Sequence, residues 1–316
     1  MRYYLIKRLS SAIVVVVLVS IIAFLIVSVL PGDAAVAILG EEAGRDAARY
    51  EVLRQQLGLA DPIHIRYLRW IGGVLGGDLG VSLRTGEPIG PAILARAVPT
   101  VQLAIFSLLI AITIAIPVGV VSAVHYRRPI DNAGTLLALT AVATPGFWLG
   151  IMLVMLFSVH LRLLPPSGYR PFFENPIESL RLMLMPAIAL SSGLVGVLIR
   201  QVRSAVLEVL GEEYITTARA KGLRGRQVLY GHALRNALLP VVTLIGLQLG
   251  SIFGGAATIE TVFSIPGLGR LTVDSIFFRD FTMLQALMLV LALTVLAASL
   301  ITDLVYSQID PRIRNG

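Results

Sequence analysis

Long apolar runs alternate with polar segments along the whole chain. Six runs contain no Asp, Glu, Lys or Arg, and each is 18 to 28 residues long. They are Leu9–Gly32, Ala97–Val124, Asn132–Val159, Leu182–Ile199, Ala237–Ile259 and Phe281–Thr302. An uncharged apolar stretch of about 18 residues or more is long enough to cross a bilayer as a helix. The pattern therefore predicts an all-α integral membrane protein with six transmembrane helices. Four prolines lie within or beside these runs: Pro117, Pro145, Pro186 and Pro240. They predict ordinary packing kinks, and kinks at a gate are the alternative.

The first run has an alternative interpretation as a secretory signal peptide. Ala35-Val36-Ala37 resembles a cleavage site, but the apolar core of a signal peptide is only about 7–15 residues long. Leu9–Gly32 is longer and five further runs follow it. We therefore expect an uncleaved first helix.

Two long polar segments separate some of the apolar runs. Asp33–Arg96 is balanced, with eight acidic residues and seven arginines, and Glu41–Leu57 within it has helical character. Arg200–Pro240 has seven basic residues and three acidic ones. Because a charge at the centre of a bilayer costs about 2.5–3.5 kcal/mol, neither segment is expected to lie in lipid.

The distribution of positive charge predicts the orientation. If both termini are cytoplasmic, fourteen of the 26 basic residues fall on that side, including all seven of Arg200–Pro240. Seven of the others lie in the long segment Asp33–Arg96, where the positive-inside rule is weak. We therefore expect cytoplasmic termini and an extracytoplasmic insert after the first helix.

Composition agrees with a membrane protein. The chain is 56% hydrophobic and 14% charged, whereas soluble domains carry about 25% charged residues. The net charge of +7 arises beside the apolar runs, so it indicates membrane topology and not nucleic-acid binding. The absence of cysteine excludes disulfides, thiolate metal sites and cysteine nucleophiles.

No motif for catalysis is present in the sequence. There is no G-x-x-x-x-G-K-[ST] and no H-E-x-x-H, and the four histidines are scattered. The sequence therefore predicts no catalytic residue, no metal site and no cofactor in this chain. The apolar runs contain no acidic residue, and Asp303 follows directly after the last one, which argues against a proton- or sodium-driven carrier.

A short helix is predicted inside the basic segment. Glu212 and Glu213 follow Gly211, acidic residues favour a helix N-terminus, and Gly222 is a typical helix stop. Tyr214, Ala218 and Gly222 recur at helical spacing, so they form a face that permits close approach of another surface. The plain alternative is a basic loop that obeys the positive-inside rule, and periodicity alone does not decide what docks there.

The basic segment resembles a known family. EYITTARAKGLRGRQVLYGHALRNALLP is similar to the cytoplasmic EAA loop of ATP-binding-cassette (ABC) importer permeases, in the dipeptide/oligopeptide/nickel branch. That branch shows Y-x-x-T-A-R-A-K-G-L followed by H-A-L-R-N-A-L-x-P. The general motif begins with Glu-Ala-Ala, where this chain has Thr216-Thr217-Ala218, a departure associated with this branch.

Further stretches resemble the same branch. PGDAA, LGLADPIHIRYLRW and GDLGVSLRTGEPI in the insert are similar to the B-type subunit, which is dipeptide permease-like. Leu164–Tyr169 resembles its LPxSG turn, and Ile259–Leu271 resembles its E-x-x-F-x-x-P-G-L-G signature. The resemblance thus covers nearly the whole chain.

The resemblance implies a type I ABC importer fold with two parts. Residues 1–94 would be the N-terminal helix and a scoop-like insert, and residues 95–309 the permease core with five helices and the coupling loop 200–240. The residues that would couple to an ATPase are Glu213, Tyr214, Thr217, Ala218, Arg219, Ala220, Lys221, Gly222 and Leu223.

The implied function is that of a permease subunit, not an enzyme, in an ATP-driven importer of di- or oligopeptides or related small solutes. It would work by alternating access in the bacterial cytoplasmic (inner) membrane. The implied partners are a second homologous permease, two cytoplasmic ATPases carrying ATP-Mg, an extracytoplasmic solute-binding protein and membrane lipid, with no nucleic acid.

Two other functions are consistent with the residues alone. One is a stand-alone channel or ion-coupled carrier, which needs no ATPase. The other is a membrane anchor or assembly factor, which moves no solute. The sequence also leaves the solute open among dipeptides, longer peptides, nickel chelates and glutathione-like compounds, and it names no substrate-contacting residue.

Overall fold

A computed structural model describes residues 2–29, 34–39, 46–56 and 58–309. These residues are predominantly helical and contain no β-strand, apart from one isolated bridge between Val81 and Pro88. The helices are α1 Arg2–Val29, α2 Ala34–Leu39, α3 Ala47–Gln56, α4 Ile63–Leu75, α5 Ile89–Val124, α6 Pro129–Ala143, α7 Gly146–Leu153, α8 Pro176–Leu210, α9 Glu213–Ala220, α10 Gly225–Val228, α11 Leu234–Ala237, α12 Leu239–Val262, α13 Leu268–Phe277 and α14 Phe281–Ile309. Two π-helical segments, Val154–His160 and Leu229–Ala233, continue α7 and α10.

Five of the described helices are long and apolar enough to cross a membrane. They contain the segments Ser10–Val29, Ile89–Val124, Pro176–Leu210, Leu239–Val262 and Phe281–Thr302. The remaining predicted span, Asn132–Val159, corresponds to α6 and α7 with its π-helical extension. It makes a sixth span if the two halves are counted together. The fold class predicted from the sequence is therefore confirmed.

The third predicted span is broken and not merely kinked. Its two halves are bent by 100° at Thr144 and Pro145. Proline disfavours the helical region for the residue before it, and Thr144 has φ −85° and ψ 119°. By contrast, Pro117 and Pro186 lie inside continuous helices, and Pro240 lies in the first turn of α12.

The helices extend beyond the apolar runs that predicted them. The apolar runs themselves contain no acidic residue, but the longer helices take in acidic residues at their ends, among them Asp131 in α6 and Glu260 in α12. Both side chains are buried. The Oγ1 of Thr100 on α5 donates a hydrogen bond to Glu260 Oε1 at 2.6 Å, and an ion pair holds Asp131. A carboxylate is tolerated near a helix end when such partners satisfy it.

The chain divides into two compact units. The first comprises residues 1–98 and 266–296. Its apolar core packs the start of α5 against α13 and α14, through Ile89, Ile93, Leu268, Met283 and Leu287. A separate aromatic group of Phe24, Tyr67 and Trp70 holds α4 against α1, and Ser20 Oγ lies 2.8 Å from Tyr67 Oη.

Asp280 fixes the end of the insert within the first unit. Its carboxylate accepts hydrogen bonds from Ser82 Oγ and, at 3.2 Å, from the backbone N–H of Leu83. It also accepts from the N–H of Met283 at 3.2 Å and so caps the N-terminus of α14. The Arg84 guanidinium lies over the Phe278 ring, 3.3 Å from its centroid. One buried side chain therefore holds both the loop and the helix start.

We expect Asp280→Ala to release the loop that contains Ser82 and Arg84. Loss of a helix cap alone costs about 0.5–2 kcal/mol, and Ser82 would lose its partner as well. The measurement is limited trypsin digestion of the purified protein, in which cleavage after Arg84 should become several-fold faster. Asp274→Ala is the control, because Asp274 pairs with Arg270 at 4.0 Å on α13. Equal cleavage in the two variants would contradict this role of Asp280.

The second unit comprises residues 99–265 and 297–316 and is built around α8. The buried side of α8 includes Leu194, Leu198, Ile199, Val202 and Val206, which pack against α5, α6 and α12. Glycines permit the closest approaches: a Cβ at Gly196 would lie 2.4 Å from the carbonyl oxygen of Ala138 on α6.

Candidate functional site

The basic segment folds into short helices at the end of α8. The first eleven residues of the predicted loop 200–240 continue α8 to Leu210, with Gly211 as its C-cap. The predicted helix inside the segment is confirmed: α9 runs from Glu213 to Ala220. Glu213 lies in its first turn, where a negative charge is favourable, and the hydroxyl of Thr217 donates to the Glu213 carbonyl at 3.1 Å.

Gly222 ends α9 by its backbone conformation. Its φ is +81°, in the left-handed region that residues with a Cβ rarely adopt. Its N–H donates to the Arg219 carbonyl at 2.9 Å. No other group lies within 4 Å of the position that a Cβ would occupy. Conformation, and not space, is therefore what requires glycine here.

The inner side of α9 is attached to its own chain. Ile215 and Ala218 are buried in a small apolar cluster with Val228 and Ala233. Partly buried side chains close this cluster: Val209, Leu210, Leu223 and Leu229. Val209 and Leu210 are the last residues of α8, so the cluster fixes α9 directly to the end of that helix. Asn236 Nδ2 adds a hydrogen bond of 2.9 Å to Tyr214 Oη.

The outer side of α9 is exposed. Of the nine residues predicted to couple to an ATPase, seven are exposed: Glu213, Tyr214, Thr217, Arg219, Ala220, Lys221 and Gly222. The other two face the chain itself, because Ala218 is buried and Leu223 packs at the edge of the same cluster. Ala218 thus differs from the expectation that it shares an open face with Tyr214 and Gly222. Apolar burial, which helical spacing alone does not reveal, turns it inward.

The exposed surface around α9 is basic. Arg219 and Lys221 lie on α9 and at its end, and Arg224, Arg226 and Arg235 are exposed in the residues that follow. This basic surface and the outer side of α9 together suit binding of a partner protein whose contact surface is acidic.

Asp131 and Arg203 form a buried ion pair near this loop, which the sequence did not predict. Arg203 on α8 donates from Nε to Asp131 Oδ1 at 2.6 Å and from Nη2 to Oδ2 at 2.8 Å. The N–H of Arg127, which has φ 61°, donates to Asp131 Oδ2 at 2.9 Å. Asp131 is 3% exposed. The pair fixes the turn between α5 and α6 to α8, about two helical turns before the end of α8.

Family comparisons match almost the entire chain. Residues 115–315 match the binding-protein-dependent transport system inner membrane component family. Residues 1–104 match the N-terminal region of membrane components of the same systems.

Two relatives align over nearly their full lengths. The glutathione transport system permease protein GsiC of Salmonella paratyphi A is 40% identical over 314 residues, which cover 99% of each chain. The dipeptide transport system permease protein DppB of Escherichia coli K12 is 38% identical, with coverage of 100% of this chain and 99% of the relative.

A solved structure shares the fold. An inward-facing conformation of the MetNI methionine ABC transporter superposes with a TM-score of 0.57. The alignment has 19% identity and covers 69% of this chain and 96% of the MetNI chain. At this identity the likeness concerns the fold alone.

Proposed function

Since this chain belongs to the family of inner membrane components of binding-protein-dependent transport systems, we propose that it imports small peptides. Family membership confirms the resemblance drawn from the sequence. The chain is the permease subunit of an ABC importer and a multi-pass inner membrane protein. It is not an enzyme, because ATP hydrolysis in such systems takes place on separate subunits. The stand-alone channel, ion-coupled carrier and membrane anchor are therefore set aside.

Small peptides are the proposed solute because of the relatives' names. One relative is a permease for glutathione and the other for dipeptides, at 40% and 38% identity. Both solutes are short, flexible molecules with amide groups and charged ends. The two relatives therefore share a solute of this size and chemistry, and we assign the same class of solute to this chain.

The proposed coupling site is the outer side of α9. The observation that carries it is the two-sided arrangement of this helix, which is fixed to α8 by Ile215 and Ala218 while its opposite side is exposed. A helix held in this way transmits a displacement of its partner to α8. ATP-driven movement of an ATPase groove would thus shift the permease between inward- and outward-facing states, as alternating access requires.

The proposed assembly contains a second homologous permease, two cytoplasmic ATPases that bind ATP-Mg, and an extracytoplasmic solute-binding protein. Both termini of this chain are cytoplasmic in this arrangement, which places the basic loop 200–240 on the ATPase side. Residues 1–94 serve the extracytoplasmic side, and residues 95–309 form the permease core.

Gly222→Glu is expected to uncouple ATP hydrolysis from uptake while the chain stays folded. A side chain at φ +81° costs about 1–2 kcal/mol, which corresponds to about tenfold in the population of the docked helix end. The measurement is solute uptake and ATP hydrolysis by the reconstituted importer, with uptake falling about tenfold. Normal uptake would refute the docking of α9.

Two further variants separate backbone conformation from charge. Gly222→Asn should retain most uptake, because asparagine tolerates the left-handed region. Gly225→Glu adds the same charge three residues away, at an exposed glycine that has no positive φ and no neighbour within 4 Å of a Cβ. If Gly225→Glu lowers uptake as much as Gly222→Glu, the effect is one of general charge and not of the end of α9.

Gentle affinity purification of the chain from its native membrane tests the assembly as a whole. A second permease, ATPase subunits and ATP hydrolysis in the eluate are the expected result. A homo-oligomer that transports solute without an ATPase would overturn the proposed assembly.

A further inference from the structure

A cavity of about 370 Å³ lies in the second unit where α6 ends and α7 begins. Its walls come from the junction of these two helices, from the middle of α8 and from α12. Thr144 and Gly146, at the 100° bend, both line it. The volume is within the range of pockets for small molecules, about 300–1,000 Å³.

The broken helix leaves non-helical backbone at the wall of this cavity. Pro145 has no N–H, so the carbonyl of Ala141 lacks its usual helical partner. The N–H of Thr144 still donates to the carbonyl of Thr140 at 3.0 Å, which is the last bond of α6. Non-helical backbone at membrane depth is tolerated where protein covers it or where it lines a water-filled cavity. Here the break itself forms part of the cavity wall.

The lining is mostly apolar, includes several hydroxyl groups and one amide, and carries no charged side chain. Four hydroxyl groups line it, and each donates its proton to a carbonyl of its own chain: Thr144 to Thr140 at 2.8 Å, Ser192 to Ala189 at 3.0 Å, Ser251 to Gln248 at 2.7 Å and Thr258 to Gly255 at 2.9 Å. A hydroxyl that donates in this way keeps lone pairs free to accept. The wall therefore offers acceptors to N–H groups inside the cavity.

Gln248 complements these hydroxyl groups. Its side chain is half-buried and lines the cavity, and within the described residues its amide makes no side-chain hydrogen bond. A glutamine amide offers two N–H donors and one carbonyl acceptor, the same chemistry as a peptide group. The cavity thus combines one amide that both donates and accepts with several hydroxyl acceptors.

We propose that this cavity is the part of the solute path that this chain contributes, with Gln248 as a contact for the amide groups of a peptide. This inference rests on the proposed peptide import. Single hydrogen bonds exposed to water contribute only about 0.5–1.5 kcal/mol each. They can therefore orient a peptide in the cavity without binding it tightly. Because the wall is uncharged, peptides with acidic and basic side chains pass it with similar ease.

Cysteine labelling tests whether the cavity is a wet path. The chain has no cysteine, so each introduced thiol is the only one in this subunit. Ser251→Cys lines the cavity, whereas Leu247→Cys lies on the same helix, is 69% exposed and does not line it. The reagent is a charged, membrane-impermeant methanethiosulfonate, added on both sides of proteoliposomes that contain the complete importer.

Only the cavity thiol should react, because a thiolate forms in water and not in lipid or a dry interface. We expect labelling of Ser251→Cys to lower dipeptide uptake about tenfold, with Leu247→Cys unlabelled and active. Equal labelling of the two variants, or normal uptake by fully labelled Ser251→Cys, would overturn the proposed path.

A second variant tests the role of Gln248. Gln248→Glu places a negative charge in the wall, so uptake of alanyl-glutamate should fall about tenfold relative to alanyl-lysine, at equal loading of the binding protein. If the wild-type importer takes up both dipeptides and the variant keeps the wild-type ratio, the assignment of Gln248 is wrong. If the wild type takes up neither, the proposed peptide substrate is wrong. The effect of Ser251→Cys labelling on binding-protein-stimulated ATP hydrolysis then still tests the path.

Discussion

Replacing Arg203 with methionine should lower the thermal midpoint of the purified permease by about 6 °C or more. Arg203 makes two hydrogen bonds, at 2.6 and 2.8 Å, to a carboxylate that is 3% exposed. Removing the guanidinium leaves the buried charge of Asp131 with the N–H of Arg127 as its remaining described partner. Breaking a buried pair in this way costs about 3–5 kcal/mol, because the remaining ion is no longer compensated.

Two further variants separate this effect from general loss of charge on α8. Arg200→Met removes a charge one helical turn earlier, from an exposed arginine without an ion pair among the described residues, and should leave the midpoint nearly unchanged. The double variant Asp131→Asn with Arg203→Met removes both charges and keeps an oxygen for the Arg127 N–H. It should recover most of the loss. A double variant as unstable as Arg203→Met alone would contradict the ion-pair explanation.

Gly196→Ala should destabilise the contact between α6 and α8 by about 3 kcal/mol. A Cβ at this position would lie 2.4 Å from the carbonyl oxygen of Ala138 and 2.7 Å from Cγ2 of Val142. The nearest obstacle is backbone, so rotation of a side chain cannot relieve it and the two helices must separate. Thermal unfolding in detergent measures the effect, together with the fraction of protein that remains monodisperse.

Gly193 provides the matched control on the same helix. A Cβ there meets nothing within 4 Å, because this part of α8 borders the cavity. Gly193→Ala should leave the thermal midpoint unchanged or raise it, since alanine favours a helix by up to about 1 kcal/mol over glycine. Equal destabilisation by the two variants would show that the α6–α8 contact is not the cause.

These features make α8 the element that connects the proposed coupling helix to the proposed solute path. Ser192 in the cavity, Gly196 against α6 and Arg203 in the ion pair follow one another along this helix. The cluster around Ile215 then attaches α9 to its end. A displacement of α9 by an ATPase would therefore be carried along α8 to the wall of the cavity, because a packed helix moves as a rigid element.

Local sequence patterns predicted the membrane-crossing helices, the proposed coupling helix α9 and the family of this protein. Uncharged runs predicted the membrane-crossing helices, because a charge in lipid is costly wherever it occurs in a chain. Glu213 and Gly222 predicted the start and end of α9, since capping depends on charge and backbone freedom within a few residues. The match over Tyr214–Pro240 predicted the family, and the family comparisons confirm it.

Contacts between residues far apart in the sequence determined the features that local patterns did not predict. Pro145 predicted a kink, but the 100° break depends on how α7 packs: a Cβ at Gly146 would lie 2.8 Å from the Ala189 carbonyl oxygen, and one at Gly150 would lie 2.9 Å from the Phe263 ring. Asp131 and Arg203 are 72 residues apart, and nothing local in the sequence marks them as partners. The inward turn of Ala218 and the uncharged wall around Gln248 likewise arise from packing. Hydrophobic periodicity and charge indicate what kind of surroundings a residue requires. Only the tertiary structure determines which other residues form those surroundings.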